Sequence, residues 1–93
     1  MKKIKLSDVI QQVNELDWKL AIYSDEKEKS FEKDTVIYLA NPDKERVDET
    51  KYFYGLSIQT LQDIIENASP EDLLKAINFY YKNDAFVDFN VGK

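Results

Sequence analysis

The spacing of apolar residues changes period along this chain, and that change limits the folds open to it. From Trp18 to Ser24 the pattern alternates, with Trp18, Leu20 and Ile22 on one side and Lys19, Ala21 and Tyr23 on the other. A period of two predicts a strand. Thr35 to Ala40 is β-branched and aromatic and predicts a second, ended by the turn chemistry of Asn41-Pro42-Asp43. The two are expected to pair antiparallel across a long, mixed-charge connection that includes residues 25–30. Tyr52-Phe53-Tyr54 reads as a short third strand stopped by Gly55. From Ile58 the period becomes helical. Ile58, Leu61, Ile65 and Ala68 form a stripe with Ile64 at its edge, and Asn67 closes the helix. Ser69-Pro70-Glu71-Asp72 restarts one, with an N-cap, a proline at the first helical position and two acids in the first turn. Leu73, Leu74, Ile77, Tyr80 and Tyr81 form its apolar face, and Asn83-Asp84 its stop.

Two further elements complete the expected order. Ser7 has the character of an N-cap, and Val9, Ile10, Val13 and Leu16 share one face, which predicts a helix over residues 8–16. Ala85 to Phe89 alternates again and reads as a terminal strand. The order α-β-β-(β)-α-α-β has no repeating β-α unit. It predicts an α+β fold, with a small, mostly antiparallel sheet and about three helices. A single domain spanning residues 1–93 is expected.

With no cysteine, no disulfide supports this core, and a reducing, cytoplasmic setting is the natural expectation. The apolar content, 43%, is enough for a chain of this length to bury roughly 60–65% of its unfolded surface. Met1-Lys2-Lys3-Ile4-Lys5-Leu6 carries the charge of a signal-peptide start, but Ser7, Asp8, Gln11 and Gln12 interrupt any apolar region after it. No stretch approaches the ~20 apolar residues of a membrane span, so no membrane partner is expected.

The chain has no histidine either. No imidazole is available as a base near neutral pH, and no thiolate to attack a substrate or hold zinc. Glycine-rich phosphate loops and nucleophile elbows are absent from the sequence. The expectation is a non-enzymatic protein with no catalytic residues and no cofactor. Asp43 to Glu49 is rich in acids but lacks the glycine and spacing of a calcium loop, and Lys44 and Arg46 lie within it. No metal site is expected.

Net charge is −5. Direct binding to nucleic-acid phosphates is disfavoured, and a basic protein partner is favoured. Three surfaces are candidates for it. Residues 52–74 contain no lysine or arginine, and there Gln59, Gln62, Asp63 and Glu66 lie opposite the apolar stripe of their helix. Phe79 falls outside the ~100° apolar arc of the last helix, where an exposed ring could hold a partner. Tyr23, Tyr38 and Phe86 could share an open, helix-free sheet face, with Ala21 and Ala40 between them.

The passage from Ser69 to Phe86, with Phe79-Tyr80-Tyr81 followed by Asn83-Asp84-Ala85-Phe86, resembles a family of small uncharacterised bacterial domains. That resemblance implies no activity. In size, acidity and mixed architecture the whole chain is similar to immunity proteins of bacterial toxin systems, including contact-dependent growth inhibition. The likeness implies an inhibitor that binds a cognate toxin, such as a basic nuclease domain. Two other classes compete with it: a phage-derived or housekeeping interaction module of the nucleic-acid-mimic type, and a small hydrolase built on carboxylates. A toxin gene immediately upstream would favour the first.

Overall fold

A computed structural model describes residues 1–26 and 30–83. The elements are β1 (Lys2–Lys5), α1 (Leu6–Gln11), a 3-10 turn (Val13–Glu15), β2 (Ala21–Ser24), β3 (Val36–Ala40), β4 (Phe53–Ser57), α2 (Ile58–Asn67) and α3 (Leu73–Asn83). Among these residues the fold is α+β: a four-stranded antiparallel sheet, in the order β1-β3-β2-β4, with three helices. The strand expected over Ala85–Phe89, and with it Phe86, lies outside the described residues.

Strand parity decides which side chains meet the helices. Ile22, Ile37, Leu39 and Leu56 point to one face and join Leu6, Val9, Val13, Ile58, Leu61, Ile64, Ala76 and Ile77 in a single buried cluster. Burying each such aliphatic side chain contributes about 1.5–3 kcal/mol. Ala21, Tyr23 and Ala40 point the other way. Tyr38 packs against them, so from Leu20 onward the two faces expected from the alternation are the two observed, Trp18 being the exception.

The N-terminus departs from expectation. Lys2–Lys5 is a strand, paired with β3 so that Ile4 faces Ile37 and Lys3 faces Tyr38. It runs straight into α1. Ser7 therefore sits inside the helix; the cap position is Lys5, with no side-chain cap bond. Loop carbonyls take over the capping: the Leu6 N–H donates to Thr35 O at 2.9 Å and the Ser7 N–H to Lys33 O at 3.0 Å. The helix ends at Gln11 and continues only as the 3-10 turn, shorter than the 8–16 expected.

Trp18 does not begin a strand, nor does it face the helices. The Leu20 N–H donates to Asp17 O at 3.0 Å and the Lys19 N–H to the Asp17 carboxylate at 2.9 Å, forming a turn. Trp18 projects from it, 56% exposed, with the Lys19 ammonium 5.6 Å from its ring. Gly55 does not stop β4 but lies within it, at a register shift opposite Ile22 and Tyr23. A Cβ there would come within 3.1 Å of the Ile22 carbonyl, so β2 approaches closely enough that a side chain would have to push its backbone by a few tenths of an ångström.

The β2–β3 connection also holds a core residue. Phe31 is buried, its ring 4.8 Å from that of Tyr81. Asn78 on α3 fixes it: the Phe31 N–H donates to Asn78 Oδ1 at 2.6 Å, and Asn78 Nδ2 donates to Phe31 O at 2.9 Å. α2 is capped by Ser57, whose hydroxyl accepts from the Thr60 N–H. Ile64 lies in the core and Ile65 only partly, the reverse of their expected weights. α3 begins at Leu73, after the Ser69–Asp72 turn, later than Pro70 suggests. Among the described residues no helix is long and apolar enough to cross a membrane.

Candidate functional site

The helix-free face of the sheet is not open. Residues 41–52 fold over it. Asn41, itself buried, starts this segment: its side-chain carbonyl accepts from the Asp43 N–H at 2.9 Å, and its backbone carbonyl from the Lys44 and Glu45 N–H groups. Asp48 makes the second turn, accepting from both the hydroxyl and the N–H of Thr50. Those bonds hold the Asp48 carboxyl below its usual range. Between the two turns Val47 reaches down, and after them Tyr52, to cover Ala21, Tyr23 and Ala40. A charged loop thus acts as a lid on an aromatic sheet face, pinned by two short polar side chains.

Aromatic pairs order what lies beneath. The Tyr38 and Tyr52 rings are 5.0 Å apart, edge to face. Tyr23 and Tyr54 are 5.5 Å apart at 87°. Such pairs add about 0.5–1.5 kcal/mol each beyond the area they bury. Tyr23 is only 5% exposed, while its partner Tyr54, on the end strand of the sheet, is 54% exposed. Here the lid stops short of β4 and leaves an open cleft of about 930 Å³. Tyr23, Tyr52, Phe53, Tyr54 and Tyr81 line it, with Pro42 and Glu49 on the lid side and Lys82 on α3. Its size is within the range of pockets that seat small ligands.

The cleft has a carboxylate, Glu49, on the lid side and an ammonium, Lys82, on the α3 side. The Tyr23 phenol is pushed above its ordinary range, first by burial, then by Tyr54, Glu49 and Glu45. An adjoining groove, also reaching Tyr23 and Glu49, is lined by Glu45, Asp48 and Arg46. Carboxylates outnumber cations around Tyr23. A cation is the ligand that aromatic faces and carboxylates both attract.

The residues singled out from sequence divide between the two layers. Tyr23 and Tyr38 are partners in the β2–β3 register, Tyr23 reaching the cleft and Tyr38 lying under Tyr52. Gln59, Asp63 and Glu66 stand exposed on α2, in the helical layer, and Phe79 is 39% exposed on α3. Gln62, expected beside Asp63 on the free face, is partly buried and donates to Val13 O at 3.0 Å, tying α2 to the 3-10 turn. Among the described residues no group of three or more acids is placed to hold a metal ion. Glu49, Tyr52, Tyr54 and Tyr81 were not among the sequence candidates. The signal for two of them was the Tyr-Phe-Tyr run ahead of Gly55, whose bulge turns Tyr54 toward Tyr23.

The fold and cleft define a small α+β protein with an aromatic, carboxylate-edged recess at the end of its sheet. The chain belongs to the family described as Domain of unknown function (DUF7716), which matches residues 3–89. No curated protein and no solved structure matches it.

Proposed function

We propose that this protein is a non-enzymatic binder, an immunity protein that neutralises a cognate bacterial toxin domain in the cytoplasm. The observation that carries this reading is the aromatic cleft edged by Glu49 on a chain of net charge −5. Aromatic residues are the side chains that hold protein partners most strongly, and an acidic field speeds encounter with a basic one. A toxin nuclease, basic because it must engage phosphates, is the partner this chemistry suits. Binding alone would block its active site or its approach to nucleic acid.

The test is co-expression with candidate toxin domains, beginning with any encoded immediately upstream of this chain's gene. Cells should survive the toxin only when this protein is present. The purified pair should form a stoichiometric complex that persists in excess chelator, since binding needs no metal. Survival without complex formation, or a turnover that chelator abolishes and one metal restores, would replace inhibition with catalysis.

A further inference from the structure

The cleft carries a finer inference, which rests on the reading of this chain as a binder of a basic protein. We propose that it seats one arginine side chain of the partner, stacked on Tyr54 and Tyr52 with its guanidinium directed to Glu49. Three observations converge on this occupant. The walls are mostly aromatic rings, whose faces attract cations. Glu49 supplies a carboxylate at the rim, with Glu45 and Asp48 in the adjoining groove. Tyr23 lines both, and its phenol is raised first by burial and then by Tyr54, Glu49 and Glu45.

Arginine fits better than lysine. Its guanidinium is planar, stacks on a ring and offers a fork of donors to a carboxylate, whereas an ammonium is a compact, strongly hydrated charge. Lys82 on the α3 wall and Arg46 in the adjoining groove would repel further positive charge. The seat therefore takes a single cation rather than a basic run. The shallow acidic face of α2 acts by field alone; the cleft reads one side chain by contact.

The experiment titrates the isotope-labelled full-length protein with three blocked pentapeptides, Gly-Gly-X-Gly-Gly, where X is arginine, lysine or citrulline. Citrulline keeps the shape of arginine without its charge. The arginine peptide should shift amide signals of Tyr23, Glu49, Tyr52 and Tyr54. The citrulline peptide should bind at least about tenfold more weakly, and lysine should fall between. Glu49→Gln and Tyr54→Leu should each weaken the arginine peptide roughly three- to tenfold, as expected for losing one charge or one cation–π contact. Equal binding of citrulline and arginine would overturn the proposal. So would shifts confined to Gln59, Asp63 and Glu66, or unchanged affinity in Glu49→Gln. If the toxin is neutralised equally by wild type and Glu49→Gln, the cleft assignment fails and the binder reading stands. If arginine seats in the cleft yet no toxin is neutralised, the cleft stands and the immunity reading falls.

Discussion

Asn78 shows how one polar side chain can join parts of the molecule that sequence reading keeps apart. It accepts from the Phe31 N–H and donates to the Phe31 and Leu74 carbonyls, although Phe31 is 47 positions away. Asn78→Ala would leave both backbone groups of Phe31 without these partners in a partly buried place. The expected loss is roughly 1–3 kcal/mol, read from the urea unfolding midpoint. Asn78→Asp keeps the acceptor and loses the donor, so it should also destabilise; an unchanged midpoint in both variants would detach Phe31 from α3. Tyr23 gives a test by pH. Its phenol is raised in the folded state, so its contribution is fully present below the ordinary phenol range, near 10, and is lost as pH rises through the higher folded value. Glu49→Gln removes one cause of that rise, so Tyr23 should titrate at lower pH in the variant, as followed by its ring carbon signal. That Tyr23 and Tyr38 share a face was legible from alternation alone. That a loop buries Tyr23 was not, because Val47 sits among the charges of Asp43 to Glu49 and Tyr52 reads as the start of a strand.

At the scale of elements, the sequence was most informative where the apolar period was long. α2 begins at Ile58 and ends at Asn67, as its stripe predicts. The β2–β3 pairing and the α3 face follow from the same reasoning. β1 was missed because only Ile4 of its four residues is apolar; its strand character comes from pairing with β3. The three lysines that hid it also suit its place: among the described residues β1 is an edge strand, and charge there discourages pairing with other chains. Ser7 and Ser57 make a matched pair of lessons. Both stand near the start of helical runs, but only Ser57 caps: it is the residue just before α2, whereas Ser7 lies within α1, whose cap position is Lys5. Ser57→Ala should therefore cost about 0.5–2 kcal/mol and Ser7→Ala much less, measured by the same unfolding experiment. Within α3, Ile77 is fully buried and Leu74 only partly. Ile77→Ala should cost roughly 2–5 kcal/mol and Leu74→Ala less. A reversed order would mean that α3 is rotated on the sheet.

At the scale of the whole molecule, the acidic face of α2 and the aromatic cleft are separate surfaces, and kinetics can separate the roles proposed for them. Asp63 and Glu66 are exposed on α2, in a stretch of sequence without lysine or arginine. Neither is part of the buried cluster. Reversing both to lysine moves the net charge of −5 four units toward neutrality. Stability should change within about ±0.5 kcal/mol, as for most exposed substitutions. If the acidic field steers a basic partner, association of Asp63→Lys/Glu66→Lys should be markedly slower at low salt. The gap from wild type should close as ionic strength approaches 1 M, where the Debye length is about 3 Å. Dissociation should be little altered, because the contacts remain. Glu49→Gln should show the opposite signature, with faster dissociation and a smaller effect on association, because that carboxylate edges a cleft rather than an open face. The measurement is a pair of rate constants for each variant against the cognate partner across a salt series. An unchanged association rate for the double reversal at every salt concentration would remove α2 from the encounter. It would leave the sheet-end cleft, or Phe79 on α3, as the surface the partner meets first.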